Sequence, residues 1–254
     1  MKWGIKLKRD ILIEVCCGSV DDAIESEKAG ANRVELNSAL FLGGLTPSIG
    51  EIIEAKRVLQ IPVAVMIRPR RGGFCYTDSE FNVMIQDTKM AVKHGADGIV
   101  FGILNEDGTI DVDRCEKIIK LSGEKEVIFH RAIDVVPDPF QAIDTLVNLG
   151  VKRVLTKGQE NTIEAGMDLL KELIEYANGR IEILPAGCKI HNVERVVNEL
   201  AIDQIHINSH ETRLDKSVLM KPHVYFGSSL RPEESTYDII STSFINTIHK
   251  KITK

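Results

Sequence analysis

Eight times in 254 residues a short apolar run gives way to a longer stretch with helical spacing of its apolar positions. The runs are ILIEVC (11–16), NRVEL (32–36), PVAVMI (62–67), DGIVFG (97–102), EVIFHR (126–131), KRVLT (152–156), RIEILP (180–185) and QIHIN (204–208). Short apolar strands alternating with amphipathic helices build parallel sheets, because a parallel pair needs a crossover long enough to hold a helix. Eight such units in a chain of this length predict an α/β fold, a (β/α)8 TIM barrel spanning 1–254 as a single domain, over an open doubly wound sheet.

Local punctuation agrees with that rhythm. Ser19, Asp78, Asp111, Asp138 and Asn161 stand where helix N-caps belong, and Gly30, Gly95, Gly150 and Gly179 stand where helices should stop. KAGANRVEL, KHGADGIVF and NLGVKRVLT repeat one theme, a helix ending in glycine with a strand close behind. The stretch 209–232 after the eighth strand is near the upper length for a connection and carries Met220, Tyr225 and Phe226. It is expected to cover the barrel mouth or to contact another copy of the chain, so a homo-oligomer is expected.

Composition removes several classes of function. Net charge is −5 and the basic residues are dispersed, so no nucleic-acid footprint is visible. No run approaches the roughly 20 apolar residues of a membrane span, and MKWGIKLKRD lacks the apolar segment of a secretion signal. The expectation is a cytoplasmic protein with no membrane partner. Cys16, Cys17, Cys75, Cys115 and Cys188 make an odd set in a chain too long to need disulfide staples, and are read as free thiols.

In a barrel, strand side chains alternate between the helix-facing shell and the interior, and the C-terminal strand ends carry the site. Alternation sends Glu14 and Cys16 inward from the first run, Glu35 and Asn37 from the second, and His206 and Asn208 from the eighth. Arg68 ends the third strand, with Arg70 in the loop beyond it. His130 shares a face with Ile128, which puts Arg131 on the other. Thr156 is placed inward behind an outward Leu155, with Lys157 following in the loop. Glu14, Glu35, Arg68, His130, Thr156 and His206 are therefore expected to converge on one end of the barrel. Interior charges of this kind must be paired, and a concentration of them at strand ends marks a site.

The strings EVCCGSVDDA, AGANRVEL, GGLTPSIG, PVAVMIRPRRGGFCYTDSEF, GADGIVFG, FHRAIDV and RVLTKGQ, in that order over about 11–210, resemble the CutC copper-homeostasis family. The resemblance implies a cytosolic TIM barrel linked to copper tolerance, with direct copper binding in some members and no agreed enzyme activity. It offers Cys16 as a ligand. Members proposed to bind copper carry a second cysteine just after the Glu-Leu of strand two, and here that position is Asn37, a poor Cu(I) ligand.

Two readings of the mouth follow. In the first, Cu(I) is bound there by Cys16, with Cys75 from the loop after strand three, because soft thiolates select Cu(I). In the second, the chain is an enzyme acting on a small anionic metabolite. Arg68 and Arg70 then hold a carboxylate or phosphate, Glu14, Glu35 and His130 supply acid and base, and Thr156, Lys157 and His206 complete the ligand contacts. Asp134 is placed among the ligand-binding residues, where it is expected to orient His130 or to cap the next helix.

Overall fold

The structure, a computed structural model, describes residues 11–227 and 234–252. Its strands are β1 (Leu12–Cys17), β2 (Arg33–Leu36), β3 (Val63–Met66), β4 (Gly98–Phe101), β5 (Glu126–Phe129), β6 (Arg153–Thr156), β7 (Glu182–Pro185) and β8 (Gln204–Ile207). The helices that follow them in turn are α1 (Val20–Lys28), α2 (Ile49–Val58), α3 (Asp78–Lys93), α4 (Val112–Ser122), α5 (Pro139–Asn148), α6 (Met167–Ala177), α7 (Val193–Leu200) and α8 (Thr242–Ile252). Among the described residues these eight strands form one parallel sheet in the order β7-β6-β5-β4-β3-β2-β1-β8. A parallel bridge between Ala186 and His206 brings its two edges together, with the Gly187 amide donating to the His206 carbonyl at 3.3 Å. The expected (β/α)8 barrel is the fold.

Helix starts follow capping chemistry. Ser19, Asp111 and Asp138 each accept a hydrogen bond from the first turn behind them. Thr77, rather than Asp78, caps α3 through a reciprocal box with Glu80. Asn161 caps nothing, because α6 begins only at Met167. The intervening loop turns on Gly158 and Gly166, packed so closely that a Cβ at Gly166 would lie 1.8 Å from the Lys157 carbonyl oxygen. Of the expected 209–232 connection, residues 228–232 lie outside the described residues; among the described ones β9 (His210–Leu214) pairs antiparallel with β10 (Thr236–Ile240) before α8 begins. That ribbon is tied down where Asp22 of α1 accepts from the Ile240 amide at 2.7 Å.

The barrel has an apolar shell and a divided interior. Val15, Val34, Val65, Ile99, Phe129, Val154 and Ile205 face the helices in one continuous core. Inside, Ala64, Met66, Val100 and Ile128 form one apolar patch, and Leu155, Leu184 and Ala186 another. The base, made by the first residues of the strands, is polar: Arg153 donates to Glu182 at 2.8 Å, Gln204 at 3.1 Å and Glu126 at 3.1 Å. Gln204 also accepts from Arg33 at 3.3 Å. This network closes the base and leaves the opposite end for a site.

Just beyond β4 the backbone must pass directly beneath His130. A Cβ on Gly102 would lie 2.4 Å from His130 Cε1 and 2.8 Å from Ala132 Cβ, and the imidazole is tied to the Ala132 amide. Gly102→Ala should therefore displace the imidazole and destabilise the fold by about 1–3 kcal/mol in urea unfolding, the usual cost of overpacking. Unchanged stability together with an unchanged His130 ring NMR signal would show that the contact is not tight.

Candidate functional site

The parallel register decides which side chains meet. Glu14 of β1 lies opposite Arg33 of β2 and also opposite His206 of β8, while Cys16 lies opposite Glu35. Glu14 accepts from Arg33 Nε on one oxygen and from His206 Nδ1 on the other, the latter at 2.7 Å. One step nearer the mouth, Cys16, Glu35 and His206 bring their donor atoms within 4.8 Å of one another. Cys16 Sγ donates to Glu35 Oε2 at 3.5 Å, and Asn37 Nδ2 donates to the same oxygen at 2.9 Å. All four of these groups are buried, and Glu35 Oε1 has no hydrogen-bond partner. Glu14 itself does not line the mouth; it stands behind His206 and leaves Nε2 for whatever binds there.

Electrostatics follow from these pairings. Burial pushes Glu14 up, but the hydrogen bond from His206 and the Arg33 charge outweigh it and hold the carboxyl at about 2. Burial raises Glu35, and the neighbouring Glu14 charge adds to it. For His206 burial works against the charged ring, yet Glu35 and Glu14 together raise its pKa. The Cys16 thiol is pushed well above its ordinary value by burial and then by Glu35, so without a ligand it stays protonated.

These groups open into a cavity of about 800 Å³ at the C-terminal strand ends. Met66, Leu155 and Ala186 supply apolar wall, and Arg131, Lys157, Lys189 and His191 supply positive or titratable groups. His130 lies on this wall against Phe74, with ring centroids 4.9 Å apart. Its Nδ1 accepts from the Ala132 amide at 3.1 Å, which assigns the proton of the neutral ring to Nε2. Burial, reinforced by Arg68, drives its pKa down to about 3, so the ring is neutral. Arg68 spends most of its guanidinium on the loops: Nη1 donates to the Leu42 and Gly44 carbonyls and Nη2 to that of Gly72.

The cavity thus gathers Cys16, Glu35, Arg68, His130, Lys157 and His206 of the expected set. Thr156 is a correction. Leu155, expected outward, lines the cavity, and Thr156 turns away to donate to Asp134 at 2.5 Å. Arg153 points into the base, so alternation carries Leu155 inward too; the apolar interior on this side erases the contrast that marks an outer face. Arg131 is a second correction: β5 stops at Phe129, and a 3-10 turn (Arg131–Val135) brings the residue to the cavity wall. Asp134 neither touches His130 nor caps α5. It accepts from the Lys157 and Gln159 amides and from Arg131, and so pins the loop after β6. Arg70 pairs with Glu80 at 2.5 Å and lies over Tyr76, and Cys75 is exposed; neither lines the cavity. Lys189 and His191 stand in the PAGCKIHN loop after β7, a segment placed where many barrels bind phosphate but whose individual side chains strand alternation does not orient.

Eight parallel strands, each followed by a helix, with a thiol, an imidazole and a carboxylate buried at their C-terminal ends, define a (β/α)8 barrel. Residues 11–211 match the CutC family. A family protein CutC of Treponema denticola is 44% identical over 245 residues, covering 96% of this chain and all of that one. The copper homeostasis protein cutC homolog of Homo sapiens is 41% identical over 94% of this chain and 88% of its own. The crystal structure of the putative copper homeostasis protein CutC from Streptococcus agalactiae has a TM-score of 0.74 at 40% identity, covering 77% of this chain and 97% of that one. The chain belongs to the CutC family.

A buried neutral histidine leaves a signature in acid. The unfolded state takes up a proton near pH 6.5 while the native ring does not until about pH 3, so His130 lowers stability as pH falls through that window. Between pH 6.5 and 5 its contribution is about 2 kcal/mol. Urea unfolding across this range should show a shallower acid loss in His130→Gln than in wild type, and equal slopes would mean that His130 is already charged in the native state.

Proposed function

We propose that this chain is a cytosolic copper-homeostasis protein that takes Cu(I) as cargo at the barrel mouth, through Cys16 Sγ and His206 Nε2 with Glu35 beside them. The observation that carries this reading is the convergence of these three buried side chains from adjacent strands, with one carboxylate oxygen left without a partner. Thiolate and imidazole are the soft and borderline donors that suit Cu(I), whereas the carboxylate is a hard one. The relatives named for copper homeostasis support the same reading.

The donor set fits a single-thiolate site. Asn37 occupies the position from which the resemblance expects a second cysteine, and its amide holds Glu35 and reaches Cys16 Sγ at 3.5 Å. Glu14 fixes the His206 ring, as a carboxylate behind a ligating histidine does in metal sites generally. Free cysteines throughout the described residues accord with a reducing compartment.

Cu(I) must displace the proton of Cys16, whose pKa is raised, so affinity rises with pH over the neutral range. Anaerobic competition titration should show a single Cu(I) per chain, tightening about tenfold per pH unit for each proton released. Cys16→Ser should lose at least about 100-fold in affinity, and Cys75→Ser should match wild type. Retention of full stoichiometry and affinity in Cys16→Ser would refute the site.

A further inference from the structure

The mouth is built for more than an ion. Its volume of about 800 Å³ falls in the range of cavities that enclose small organic ligands, roughly 300–1,000 Å³, and vastly exceeds what one metal ion fills. Two nitrogens on its walls are buried without an acceptor: His130 Nε2, on a residue 4% exposed, and Arg68 Nε, on a residue 7% exposed. Both are N–H donors, the first because Nδ1 already accepts from Ala132 and the second because guanidinium offers only donors. Buried donors without acceptors are rare, since each costs the full desolvation of the group, and the unpartnered acceptors of the same mouth, Glu35 Oε1 and Asn37 Oδ1, do not satisfy these two.

A second independent feature lies on the same cavity. Arg131, Lys157 and Lys189 all line it, and burial together with the charges of Arg131 and Lys189 pulls the Lys157 pKa down. Lys157 reaches its position across Gly187: a Cβ there would lie 3.1 Å from Lys157 Cε. Lys157 Nζ donates one hydrogen bond, to the Asn161 carbonyl, and Lys189 Nζ donates two, to the Asn208 carbonyl at 3.0 Å and to its side-chain Oδ1 at 3.4 Å, so each of these three-donor ammoniums keeps donor capacity for a ligand. The nearest acids are largely engaged elsewhere: Asp134 with Arg131 and two amides, and Glu164 with His191 and Asn192.

We propose that the barrel mouth binds a small organic oxyanion whose carboxylate or phosphate is held by Lys157 and Lys189, and whose second oxygen accepts from His130 Nε2. The carbon skeleton lies on Met66, Leu155 and Ala186, which form the apolar wall. Arg68 Nε supplies a further donor beside His130. This site uses none of the three side chains assigned to Cu(I), so it stands or falls separately from that reading.

The test uses the full, metal-free chain, with calorimetry and thermal shift against inorganic phosphate, succinate, 3-phosphoglycerate and, as a neutral control, glycerol. At least one of the three anions should bind saturably and raise the melting temperature while glycerol does not, because a ligand selective for the native state stabilises it. Succinate against the two phosphates decides whether carboxylate or phosphate is preferred at the lysines. The Lys157→Ala/Lys189→Ala variant, altered at partly exposed positions, should fold as wild type and bind at least about tenfold more weakly, as loss of charge-assisted contacts requires. Succinate or 3-phosphoglycerate should move the His130 Nε2 resonance, whereas Cys16→Ser should bind anions as wild type does. No binding of any anion below about 10 mM, binding indifferent to the lysine substitutions, or an unmoved His130 resonance at saturation with organic anion would each overturn the proposal.

Discussion

Glu14 carries a full charge inside a barrel, and that charge is met from both neighbouring strands. Taking a carboxylate out of water costs several kcal/mol, so such a residue persists only where register delivers partners to each oxygen. Here the parallel ladder places Arg33 on one side and His206 on the other. The pairing does two things at once. It neutralises the interior on the β8-β1-β2 side, and it locks the His206 ring with Nε2 toward the mouth.

From that pairing the rest of the site follows by geometry. Cys16 lies two residues beyond Glu14 on the same face of β1, and Glu35 stands opposite it on β2, so the thiol, carboxylate and imidazole have no freedom to be elsewhere. The polar base formed by Arg153, Glu182 and Gln204 closes the other end, and the apolar patches on β3 to β7 leave a cavity that polar groups do not fill. The mouth consequently has two characters. One flank offers soft and borderline donors suited to Cu(I), and the other offers lysines and a neutral histidine suited to oxygen-rich molecules.

Much of this was legible in the chain. Strand alternation placed Glu14, Cys16, Glu35 and His206 inward because each lies between apolar residues that face the helices, Ile13 and Val15 around Glu14 for instance. The same rule failed at Thr156, where both faces of β6 are apolar above Arg153, and at Arg131, where the strand had already ended. The role of Asp134 was hidden because its partners, Lys157 and Gln159, are more than twenty residues away and contribute backbone amides. Nor does sequence spacing reveal which interior carboxylate stands in front: Glu14 and Glu35 look equivalent until register sets one behind His206 and the other beside Cys16. The β9–β10 ribbon escaped detection because HETRL is exposed along most of its length and has no apolar alternation to read.

In the proposed copper site, register brings one thiolate and one imidazole together at the barrel mouth. X-ray absorption on the anaerobically loaded Cu(I) protein tests it most directly, since sulfur and nitrogen neighbours differ in bond length and scattering. The account predicts one sulfur and at least one imidazole nitrogen in the coordination shell, with the sulfur lost in Cys16→Ser. A shell of two or more sulfurs, or a wild-type spectrum in Cys16→Ser, would contradict it.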